Sequence, residues 1–77
     1  MRIFINEQPV ETADGADALS AVRGFDAELA RRVESGAGYI TDARAIRLQG
    51  NESLSPGDIL RVVTTSRRSG DQVDADP

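Results

Sequence analysis

Leu54-Ser55-Pro56-Gly57-Asp58-Ile59-Leu60-Arg61-Val62-Val63 joins a turn to a strand within ten residues. Pro56 fixes its own φ and Gly57 accepts a positive one, so Pro-Gly suits the centre of a type II turn over residues 55–58. The Ile, Leu, Val and Val that follow favour a pleated, half-buried strand over residues 59–64. The other stretch of comparable strand character lies at the opposite end. There Met1, Ile3 and Ile5 alternate with Arg2 and Phe4. A chain whose best strands are its first and last is expected to pair them. If they lie parallel, the long crossover between them has room for a helix that covers one face of the sheet.

The intervening residues fill that crossover. Asn6-Glu7-Gln8 reads as a hairpin turn and residues 10–13 as a short returning edge strand, with Pro9 at its first position, where a missing N–H is tolerable. Asp14-Gly15 ends it, and Asp14 or Asp17 is placed to cap a helix. From Ala16 the apolar spacing becomes three and four, through Leu19, Val22, Leu29 and Val33, with Ala18, Ala21 and Ala30 beside them. Gly24 interrupts this stripe. The pattern predicts either one helix bent near Gly24 or a first helix to Val22 and a second over residues 26–34.

Ser35-Gly36-Ala37-Gly38 stops the helical run, with Gly36 suited to a left-handed cap. Residues 39–41 form a short strand, 42–44 a turn, and 45–48 another short strand with Ile46 and Leu48 inward. Leu54 plugs the end of the core. The expected core is Ile3, Ile5, Val10, Leu19, Val22, Leu29, Val33, Ile40, Leu48, Leu54, Leu60 and Val62. The fold class is α+β, with a mixed sheet of four to five strands covered by a helix on one face. Residues 1–65 make the domain, and residues 66–77, which lose the apolar periodicity, make a flexible acidic tail.

Composition removes several functions. The 77 residues contain no cysteine and no histidine, so thiolate zinc sites, cysteine nucleophiles and the commonest general base are missing. There are 9 arginines, no lysine and 13 acidic residues, for a net charge of -4. Three of the acids, Asp71, Asp74 and Asp76, lie in the last seven residues, which leaves the rest of the chain close to neutral. That balance argues against nucleic-acid binding. The basic pair Arg67-Arg68 reads as a solvated strand exit. The apolar run at the start is too short for a secretion signal and nothing is long enough to span a bilayer, so the expected setting is cytoplasmic, without a membrane partner.

The carboxylates Asp14, Asp42, Glu52 and Asp58 fall at turns, where capping roles outweigh paired acid–base chemistry. Ser53, Ser55 and Tyr39 have no histidine or lysine to activate them. An enzyme is not expected, and neither a cofactor nor a metal site is called for. The surface that remains is the uncovered face of the sheet. If Ile3, Ile5, Leu60 and Val62 point inward, then Arg2, Phe4, Ile59, Arg61 and Val63 point outward. That mixture of apolar and arginine side chains suits contact with a protein partner, or with a second copy in a homodimer.

The opening Met1-Arg2-Ile3-Phe4-Ile5-Asn6, then Leu19 with Val22, then the Pro-Gly-Asp turn into the last strand, resemble the β-grasp (ubiquitin-like) proteins. Among these the chain is most similar to the small sulfur carriers of thiamine and molybdopterin biosynthesis. The resemblance covers residues 1–65. It implies a β-grasp fold and, for a working carrier, a free terminal Gly-Gly whose carboxylate a partner enzyme adenylates and converts to a thiocarboxylate. This sequence departs from that pattern, having Ser69-Gly70 followed by seven further residues. Carrier chemistry would therefore require processing after Gly70. The readings in order are a non-enzymatic protein-binding module, a sulfur-carrier-like protein processed at Gly70, and a self-associating structural protein.

Overall fold

The computed structural model describes residues 1–65. Its elements are β1 (Arg2–Ile5), β2 (Gln8–Glu11), α1 (Ala18–Phe25), α2 (Ala27–Glu34), β3 (Gly38–Asp42), β4 (Arg47–Leu48) and β5 (Ile59–Thr64). One five-stranded mixed sheet has the order β2-β1-β5-β3-β4. The first and last strands are parallel neighbours, as the sequence predicts, with Phe4 opposite Ile59 and Ile5 opposite Leu60. Their ladder outlasts β1. The Phe4 N–H donates to the Asp58 carbonyl (2.9 Å), the Asn6 N–H to the Leu60 carbonyl (3.0 Å), and the Val62 N–H to Asn6 Oδ1 (3.0 Å).

The turn ahead of β5 closes as its residues dictate. Gly57 has φ +86°, the Asp58 N–H donates to the Ser55 carbonyl (3.1 Å), and Asp58 Oδ2 accepts from the Ser55 N–H (2.8 Å). The Gly57 N–H then ties this turn to β1 through the Arg2 carbonyl (2.7 Å). The β1–β2 turn is tighter than the sequence reading has it. Asn6 and Glu7 both have positive φ (51° and 70°), the geometry of a two-residue type I′ hairpin. Pairing therefore resumes at Gln8, and β2 spans Gln8–Glu11 rather than residues 10–13, with Pro9 second in the strand, on the sheet's outer edge opposite Phe4.

Of the two helical alternatives, the structure takes the pair of helices, but the break is not at Gly24. That glycine lies within α1. Asp26 is extended (φ -159°, ψ 107°), donates its N–H to the Val22 carbonyl, and its Oδ1 accepts from the N–H groups of Glu28 (2.9 Å) and Leu29 (3.4 Å). One residue thus ends α1 and caps α2. At the head of α1, Asp17 accepts from the Ser20 N–H (2.8 Å), while the Ala18 and Leu19 N–H groups donate to the Glu52 and Gly50 carbonyls. α2 closes in a Schellman pattern around Gly36 (φ +88°), whose N–H donates to the Val33 carbonyl as the Ala37 N–H does to that of Arg32.

Both helices lie on one face of the sheet. The fully buried core is Ile3, Ile5, Ala18, Ala21, Val22, Ala30, Ile40, Leu54 and Leu60, with Val10, Leu19, Leu29, Val33, Leu48 and Val62 packed partly buried against it. Every expected core residue is therefore used. The additions are the three alanines, whose small side chains are fully buried, together with Met1 and Phe25, which pack partly buried against the core.

The last correction concerns β4, which is two residues long instead of four. Ala45 adopts φ +66°, and Asp42 Oδ1 accepts from the N–H groups of Arg44 (2.8 Å) and Ile46 (3.0 Å). This side-chain cage holds residues 43–46 as a turn and puts Ile46 outside at 53 % exposure, not inward as expected. Leu48 does pack against the core.

Candidate functional site

Strand alternation sends Ile3, Ile5, Leu60, Val62 and Ile40 to the helical side and Arg2, Phe4, Ile59, Arg61 and Val63 to the other. All five sequence-predicted residues therefore share one face, on the adjacent strands β1 and β5. Among the described residues no helix covers it. Ile59 is 47 % and Val63 38 % exposed, while Phe4 is half-buried.

The register shows who stands beside whom. Phe4 lies between Pro9 of β2 and Ile59 of β5, and Arg2 opposite Glu11. On the far side of β5, Val63 is opposite Tyr39 and Arg61 opposite Thr41, with Arg47 of β4 next to Thr41. The face thus carries two apolar pairs, Phe4–Ile59 and Tyr39–Val63, on either side of Arg61. Tyr39, Thr41 and Arg47 are the members that sequence reasoning missed. Their signal was the alternation of Tyr39 and Thr41 about an inward Ile40, which could be used only once β3 was known to flank β5.

Three guanidinium groups punctuate this surface. Arg2 pairs with Glu11 at 2.7 Å, Arg61 stands 3.6 Å from Glu7, and the Arg47 guanidinium lies 4.1 Å from the centroid of the Tyr39 ring. Both ion pairs are exposed, so they hold side-chain direction more than they stabilise the fold. The cation over the ring keeps Arg47 flat against the sheet. Thr41, only 4 % exposed, is the one buried polar residue of the described chain, and its hydroxyl donates to the Asp42 carbonyl (3.1 Å).

The carboxylates take up structural hydrogen bonds. Asp58 closes the turn before β5, and Asp42 holds the β3–β4 turn. Glu52 accepts from the Gln49 N–H (3.4 Å), and Asp14 pairs with the terminal amine of Met1 (3.2 Å). The Ile46 N–H bonded to Asp42 holds its carboxyl below the usual carboxylate range, with Arg44 adding to the effect. The Ser20 N–H and then its hydroxyl do the same for Asp17.

Shallow grooves indent the surface of the described residues. One lies among Asp42, Arg44, Glu52, Ser53 and Asp58 at the end of the sheet where β5 begins. Another lies between the end of α2 and the β3–β4 edge, against Val33, Tyr39, Arg47 and Leu48. No group of three acidic side chains among the described residues converges as a metal site, and none of their helices is long and apolar enough to cross a membrane. Gly70, the Arg67-Arg68 pair and the expected tail over residues 66–77 lie outside the described residues. No protein-family model, curated protein or solved structure matches the chain.

Proposed function

We propose that this chain is a non-enzymatic β-grasp module that docks the uncovered face of its sheet onto another protein. The β-grasp reading is supported by the strand order β2-β1-β5-β3-β4, by both helices lying on one side, and by the Pro-Gly-Asp turn into the final strand. The docking reading is carried by one observation. Arg2, Phe4, Ile59, Arg61 and Val63 converge from two central, hydrogen-bonded strands onto a single surface, where Ile59 and Val63 stand out of the core. Apolar side chains on a rigid sheet lose little conformational freedom when a partner covers them, and arginines among them supply directional contacts. The capping and turn roles of Asp17, Asp26, Asp42 and Asp58 support a protein whose polar groups build structure instead of performing chemistry.

The test is to change Phe4 and Val63 together to serine. Partner capture is abolished while thermal unfolding stays cooperative, and capture at the unaltered level rejects the face. The sulfur-carrier alternative is favoured by the same strand order and requires a species ending at Gly70. Intact-mass analysis of the chain from cells making thiolated products would reveal that species, and finding only chains that end at Pro77 would remove this alternative.

A further inference from the structure

We infer that the open face takes an acidic, amphipathic segment of a partner protein, with a carboxylate seated on Arg61 and apolar side chains resting on Ile59 and Val63. This rests on the docking reading above and names its partner's chemistry. Charge distribution is the first ground. Three arginines and two glutamates project from this face, whereas the remainder of residues 1–65 carries four arginines and eight acids. The apolar surface is therefore also the cation-rich side of an otherwise acidic body, and that contrast orients an acidic partner toward it.

Spacing is the second ground. Ile59, Arg61 and Val63 are successive outward residues of β5, so the two apolar members stand about 13 Å apart with the guanidinium midway. Each is widened by a neighbour, Ile59 by Phe4 and Val63 by Tyr39. Positions i, i+4 and i+8 of a helix span about 12 Å along one side, which sets an apolar, an acidic and an apolar side chain over these three. Arg61 is also available to such a carboxylate. Its contact with Glu7 is 3.6 Å long, and the two side chains are 55 % and 80 % exposed, so exchanging one carboxylate for another costs little.

The same arginine argues against a second copy of the chain. A two-fold contact centred on β5 would bring Arg61 against Arg61 between the apolar pairs, a like-charge contact at the middle of the interface. An occupant that supplies a carboxylate there removes the conflict.

The experiment titrates two synthetic helical peptides into the isotope-labelled full chain. They are identical, with leucines at i and i+8, except for glutamate or lysine at i+4. The glutamate peptide is expected to shift the amide resonances of Phe4, Ile59, Arg61 and Val63 and to bind about tenfold more tightly than the lysine peptide. Arg61→Glu, checked for cooperative thermal unfolding, should reverse that order. Equal affinities, an order unchanged in Arg61→Glu, or no shift at the face with either peptide would overturn the inference. So would a sedimentation mass that rises with concentration, which assigns the face to a second copy. Face resonances that move when residues 66–77 are deleted, with no peptide present, would assign the seat to the chain's own Asp71, Asp74 and Asp76. Binding that persists without charge preference removes this inference alone, whereas unaltered partner capture by the Phe4→Ser, Val63→Ser double variant removes the docking reading beneath it.

Discussion

Alanine substitutions at Gly24 and Asp26, two residues apart, should move stability in opposite directions. Gly24 lies within α1 with a helical backbone, and a Cβ built on it meets nothing within 4 Å. Gly24→Ala therefore gains about 0.5–1 kcal/mol from a less free unfolded chain, with no clash to set against it. Asp26 has an extended backbone that any residue adopts, so Asp26→Ala removes only its side chain. What is lost is the acceptor for the Glu28 and Leu29 N–H groups, at a cost of about 0.5–2 kcal/mol. Each helix has eight residues, too few to hold in isolation, so α2 depends on this cap and on the packing of Leu29, Ala30 and Val33. The two variants should differ by roughly 1–3 kcal/mol. With about 4–8 °C of Tm per kcal/mol for a domain of this size, calorimetry separates them readily. Asp26→Asn, which keeps the acceptor, should stay near the parent. A Gly24→Ala variant that melts below the parent would place the helix break at Gly24 and refute the assignment of the cap.

Three further outcomes follow from the backbone and the turns. Ala45→Gly should raise stability by about 0.5–1 kcal/mol in urea titration, because it relieves a left-handed residue at φ +66°. Gly38→Ala should lower it by about 1–3 kcal/mol, since the new Cβ would stand 3.0 Å from the Val63 carbonyl oxygen inside the β3–β5 ladder, where the backbone cannot yield. Asp42 and Asp17 carry carboxyls lowered chiefly by the Ile46 and Ser20 N–H groups, so each contributes stability that is present above the ordinary aspartate range and lost as pH falls through its lowered value. Asp42→Asn should consequently be less stable than the parent at neutral pH, and the gap between their urea midpoints should close in acid. A gap independent of pH would separate Asp42 from that linkage.

What the sequence disclosed depended on how strongly each residue commits its own backbone. Pro56-Gly57-Asp58 and the β-branched run behind it admit one reading, and two such strands at opposite ends led to the parallel β1–β5 pair and to the core. The errors cluster where a residue adopts a conformation its type does not advertise. Glu7 and Ala45 are left-handed without being glycine, so both turns were legible but neither the two-residue length of the hairpin nor the extension of the second turn into β4 was. The start of the second helix at Asp26 was legible, whereas Gly24 drew the end of the first helix to Val22 when it runs to Phe25. The outward set of β1 and β5 was legible because alternation within a strand needs no tertiary knowledge. Tyr39, Thr41 and Arg47 needed the register of β3 against β5, which is a long-range property.

Two helices seal one side of this sheet, and among the described residues no helix covers the other. Paramagnetic broadening of methyl resonances by a soluble, uncharged nitroxide reads this directly on the full chain. Ile59 and Val63 should broaden strongly, while Ile3, Ile5, Ile40 and Leu60 stay sharp, in line with their burial. Equal protection of both sets would mean that the outward face is covered and is no docking surface.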